Sequence, residues 1–95
     1  MVHIQPINLW IGGTTVTANI FQLRIIIDNL KDFAQLYYQL GNETINPDDE
    51  FPIITWYQDG NLSITGQDYT NWNNDPDANA WIYSWAATQL NIVII

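Results

Sequence analysis

Apolar and polar residues alternate along most of the first two-thirds of the chain, which is the period of half-buried β-strands. Val2 and Ile4 set one phase, and Ile7, Leu9 and Ile11 set another. The phase changes at Pro6, which cannot donate a ladder hydrogen bond, so an edge strand with a kink is expected. Gly12 and Gly13 then supply a turn. Residues 14–27 alternate again, through Val16, Ala18 and Ile20 and then Phe21, Leu23, Ile25 and Ile27. The break at Ile20 and Phe21 predicts a bulge, or a strand that crosses between sheets. Ile25, Ile26 and Ile27 read as a segment buried on both faces, and residues 28–32 as a hairpin loop.

Residues 33–40 fit two templates. As a strand, Ala34, Leu36, Tyr38 and Leu40 share a face; as a helix, Leu30, Phe33, Ala34 and Tyr37 form a stripe that Gly41 ends. The clean alternation favours the strand. A loop over 42–50 follows, with Pro47 and three successive acids. Residues 51–57 read as another strand. Asp59 and Gly60 predict a hairpin turn, with Leu62 and Ile64 alternating on a further strand up to Gly66.

The pattern then changes. Residues 67–72 suggest one irregular helical turn. Asp75 as N-cap, Pro76 at the first helical position and Asp77 in the first turn predict a helix over 76–90. Its apolar stripe would be Ala78, Ile82, Trp85, Ala86 and Leu90, with Trp81 beside it. Residues 91–95, Asn-Ile-Val-Ile-Ile, must pair with something, either inside the sheet or on a neighbouring subunit. The expected fold is α+β: one domain over 1–95, with a small, mostly antiparallel sheet or sandwich of five to six strands and one C-terminal helix.

Charge narrows the partners. Ten acids against Arg24 and Lys31 give a net charge of −8. Phosphate backbones are bound by neutralising them, so nucleic acid is not an expected partner. An anionic membrane surface is disfavoured on the same ground, and basic partners fit better. No apolar run approaches the roughly 18 residues of a membrane span, and the opening residues do not read as a targeting segment. The acceptor patterns at Asn42 and Asn61 read as chance.

Catalytic reagents are scarce. The chain has no cysteine, and its one histidine, His3, lacks a serine and acid at triad spacing. Asp48, Asp49 and Glu50 lie between Pro47 and Pro52, where a solvated loop is expected. Asp75, Asp77 and Asn79 share the opening spacing of a calcium loop, but Ala80 and Ala86 stand at the glycine and glutamate positions. Helix capping accounts for them. The reading is therefore non-enzymatic, with no cofactor and no metal.

The aromatics are the remaining chemistry. Five Trp and five Tyr exceed what a chain of 95 residues readily buries, and exposed rings of this kind anchor interfaces. The expected interface residues are Trp10, Trp56, Tyr57, Tyr69 and Trp72, joined by Ile92 and Ile94 of the tail. Sugar stacking on those rings is the competing use.

Residues 60–64 (Gly-Asn-Leu-Ser-Ile), Gly66 to Tyr69 with Trp72, and an acidic capped helix ending in residues 85–92 (Trp-Ala-Ala-Thr-Gln-Leu-Asn-Ile) resemble small accessory proteins of tailed bacteriophages. The segment Ile25, Ile26, Ile27, Asp28 and the pair Tyr37 and Tyr38 are similar to the central hairpin of that group. The likeness covers about half of the chain. It implies a compact β-rich virion protein of head or tail, made in the host cytoplasm, that binds copies of itself or another virion protein. Two rivals stand beside it: an acidic inhibitor mimicking nucleic acid, and a lectin-like module of a tail spike.

Overall fold

The computed structural model describes residues 1–45, 47–48 and 51–95. Four strands form one antiparallel open sheet in sequence order: β1 (Val2–Ile11), β2 (Thr14–Asp28), β3 (Phe33–Thr44) and β4 (Ile53–Thr65). Two helices follow, α1 (Gly66–Asn74) and α2 (Ala78–Leu90). The fold is thus α+β, with a four-stranded open sheet where five to six strands or a sandwich were expected, and two helices where one was.

The first two turns follow from their residues. Gly12 and Gly13 both take positive φ, +58° and +81°, and join paired Ile11 and Thr14, as a two-residue hairpin of primed type requires. The β2–β3 turn is built by side chains. Asn29 Oδ1 accepts from the backbone N–H groups of Lys31, Asp32 and Phe33, and Asp28 Oδ1 accepts from that of Leu30.

Residues 33–40 are strand, within the longer β3 that takes in Asn42, Glu43 and Thr44 from the expected loop. The rest of that loop expectation falls partly outside the described residues, at Asn46, Asp49 and Glu50. The hairpin expected at Asp59 and Gly60 does not form, because β4 runs straight through them. Gly60 instead sits opposite Tyr38, and a Cβ there would meet the Tyr38 ring at 2.7–2.9 Å. Gly41 faces Trp56 in the same way across the β3–β4 ladder, with the Trp56 ring 2.7 Å from where a Cβ would stand. Each glycine lets an aromatic ring lie across the sheet. Backbone also crowds the Gly41 position, at Thr55 O. Gly41→Ala is therefore expected to destabilise the protein by roughly 1–3 kcal/mol, as overpacking does. Urea denaturation checks it, with Gly12→Ala, whose cost comes from positive φ and not from crowding, as the control.

Three ladder irregularities bend the sheet: at Pro6 between His3 and Ile7, at Ile26, and opposite Leu40 and Gly41, where Tyr57 is the extra residue. At the first of these, β1 turns its free edge to the chain's end. Ile4 bridges Ile94, Gln5 N donates to Val93 O at 2.8 Å, and Ile95 N donates to His3 O at 3.1 Å. Of the two expectations for the tail, the internal pairing is the one found. Asn19, opposite the irregularity, exchanges two side-chain bonds with the backbone of Glu43 just past the last β2–β3 pair, Ile20 with Gly41.

The helices cover one face of the sheet. The core gathers Ile4, Ala18, Phe21, Leu36, Leu40 and Ile64 from the strands with Tyr69, Trp72, Ile82, Tyr83, Ala86 and Ala87 from the helices. Residues 67–72 belong to a full helix, because Tyr69 and Trp72, three apart, both turn inward and meet edge to face at 5.8 Å. The N-cap of α2 is Asp77, which accepts from Ala80 N at 3.1 Å, whereas Asp75 accepts from Asp77 N in the turn before it. The helix starts two residues later than expected, and its buried stripe shifts to Ile82, Tyr83, Ala86 and Ala87. Tyr83 packs edge-on against Phe21 at 5.5 Å. Its hydroxyl accepts from Leu23 N and from the N-terminal ammonium, serving β2 where β1 has run out. Asn91, in the left-handed region, closes the helix, and Ile92 N donates back to Ala87 O.

Candidate functional site: exposed apolar ends and an open edge

Opposite ends of β3 carry the two largest groups of exposed apolar side chains. At the β2–β3 turn, Ile25, Ile26 and Ile27 are each at least half exposed, and Leu30, at positive φ, is 86% exposed. This corrects the expectation that the three isoleucines are buried on both faces. The bulge at Ile26 breaks the alternation, and the helices reach only part of this end. A cleft of about 350 Å³ opens beside it between sheet and helices, lined by Leu23, Ile25, Leu36, Trp72, Ile82 and Tyr83.

At the other end of β3, Ile45 and Phe51 are about three-quarters exposed, and Ile53, Ile54 and Trp56 of β4 are exposed as well. Trp10, beside the β1–β2 turn, is 74% exposed. Trp56 and Tyr57 border a small hollow of about 140 Å³ with Gln39, Gln58 and Asp59. Gln39 Oε1 is buried there without a hydrogen-bond partner among the described residues.

The seven residues expected at an interface divide sharply. Trp10 and Trp56 are exposed and Tyr57 is half-buried. Tyr69 and Trp72 are core residues, 3% and 8% exposed. Ile92 is buried, and Ile94 is paired to β1. Those four are spent on the chain's own packing. Outside that set, Ile25, Ile26, Ile27, Leu30 and Phe51 are also exposed, and their only sequence signal was apolar character without a matching polar face.

Two phenols sit against carboxylates. Tyr37 Oη donates to Asp59 Oδ2 on the uncovered face, and Tyr69 Oη donates to Asp28 Oδ1 at 2.6 Å. Both hydrogen bonds hold the phenol protonated and raise its pKa above the ordinary 10.0. A raised folded-state pKa means that this stabilisation is complete below about pH 10 and is lost as pH climbs through the raised values. Absorbance at 295 nm is expected to show two tyrosines, Tyr37 and Tyr69, ionising above the ordinary phenol range. Tyr37→Phe is expected to remove one of them. His3 Nε2 lies 3.1 Å from Glu43 Oε1 near the surface.

Compared with known proteins, the chain matches no family, no curated sequence and no solved structure.

Proposed function

We propose that the protein is a non-enzymatic assembly subunit of a bacteriophage particle. It self-associates or docks on a major virion protein through apolar, aromatic and strand-edge contacts. The observation that carries the assembly reading is two groups of exposed apolar side chains, Ile25, Ile26, Ile27 and Leu30 at one end of the sheet and Ile45, Phe51, Ile53, Ile54 and Trp56 at the other. Large apolar side chains grouped on the outside of a small domain mark a contact surface. The interface is accordingly assigned to those ends with Trp10, Trp56 and Tyr57. The phage setting rests on the resemblance in the C-terminal third and on the acidic, reagent-poor composition. Mass spectrometry of purified particles tests that setting: the chain is expected in stoichiometric amounts, and its absence from intact virions would remove the phage part of the proposal.

A lectin-like module is the second reading, favoured by Trp56 and Tyr57 standing together at a hollow with Asp59 and two glutamines. It requires Trp56→Ala to abolish retention on a glycan surface.

A further inference from the structure

The two edges of the sheet are treated differently. The β1 edge is guarded: Pro6 removes a donor, the ladder breaks there, and the C-terminal tail pairs with it through Ile94. The β4 edge carries a bulge at Tyr57, but no proline and no pairing tail. It is the last strand of the sheet, its thirteen residues contain no Lys, Arg or Pro, and no strand among the described residues pairs with its outer side. Nine of the thirteen are exposed. An unpaired row of N–H and C=O groups this long is a template for another strand, and natural edges normally carry lysine, proline or a covering element to prevent that.

Charge decides what kind of strand. Asp48 precedes β4, Asp59 lies at its centre and Asp68 follows it in α1. The two cations are elsewhere: Arg24 lies on β2, across β3 from Asn61, and Lys31 is in the β2–β3 turn. A second copy would bring the same surplus of acid to this edge. A segment bearing Lys or Arg is attracted to it. On the uncovered face Trp56 and Asp59 are successive positions, opposite Gly41 and Gln39, because Tyr57 is bulged out between them. A strand added at this edge presents alternate side chains to those two places.

We infer that β4 is a docking edge for an extended, basic segment of a partner protein, in which an apolar residue beside Trp56 and a Lys or Arg beside Asp59 stand two positions apart. This rests on the reading of the protein as a docking subunit, and it names the partner's chemistry. The self-association surface is then the β2–β3 end, leaving the β4 edge to the partner.

The test uses a capped peptide in which Thr alternates with Val and Lys, titrated calorimetrically into the full chain. Binding is expected, weakening as salt rises. N-methylating alternate peptide amides, or replacing its Lys with Glu, should each weaken binding by about tenfold or more, equivalent to roughly 1.4 kcal/mol. The doubly substituted Thr55→Lys, Ser63→Lys protein, altered only at exposed strand positions, should lose binding while keeping its circular dichroism. Equal binding of the N-methylated peptide would mean adsorption by charge alone and overturn the inference, as would no binding at all. Loss of a homodimer in the lysine variant, with the peptide ignored throughout, would make a second copy the occupant and overturn it too. A protein that assembles yet ignores the peptide sinks this inference and leaves the assembly reading standing.

Discussion

Removal of residues 91–95 is expected to cost roughly 4–6 kcal/mol of folding stability, a large part of the 5–15 kcal/mol typical of a domain. Three losses combine. Ile92 is buried against the core, and burying an isoleucine contributes about 1.5–3 kcal/mol. The backbone bonds of Val93 and Ile95 to β1 contribute about 0.5–1.5 kcal/mol each. The left-handed Asn91 closes α2, so its loss leaves the last carbonyls of the helix uncapped. A guanidinium unfolding curve should show a midpoint shifted far down or no cooperative transition. Ile92→Ala alone, with the pairing kept, should lose about 2–5 kcal/mol. A truncated chain that unfolds like the parent would mean that the tail is loosely attached and free for a neighbour.

The second large effect falls on association and leaves folding nearly untouched. Ile26 and Leu30 are exposed, so Ile26→Asp with Leu30→Asp removes little core packing. Central apolar anchors of an interface are worth about 2 kcal/mol or more each, so the pair should weaken self-association by roughly a thousandfold. Added acid also raises repulsion between subunits that each carry −8. Phe51→Asp, at the other end of β3, provides the comparison. Dissociation by the first pair alone would assign self-association to the β2–β3 end; dissociation by Phe51→Asp alone would move it to the other.

Alternation made the strands legible. Gly12 and Gly13, the shift of phase at Pro6 and the face shared by Ala34, Leu36 and Leu40 all have local causes, and each stands where the spacing put it. Gly60 was misleading because a glycine after an aspartate serves equally as a hairpin turn or as the clearing for a ring. Only Tyr38, twenty-two positions away and opposite in the ladder, decides between them. The boundary of α2 moved because Asp75 and Asp77 are both competent caps, and the turn between them used the first. The surface was less legible than the fold. Nothing local distinguishes Ile25 to Ile27 on a bare sheet end from the same run in a covered strand. Equally, Tyr69 and Trp72 become core only once α1 is a full helix and lies on the sheet.

Sedimentation equilibrium of the intact chain at micromolar concentration bears most directly on the whole account. Exposed isoleucine, leucine and phenylalanine at both ends of β3 call for a mass of several times 11.0 kDa, falling to one copy in the Ile26→Asp, Leu30→Asp protein. A parent chain that stays at 11.0 kDa across the range, and keeps that mass when mixed with virion proteins, would contradict it.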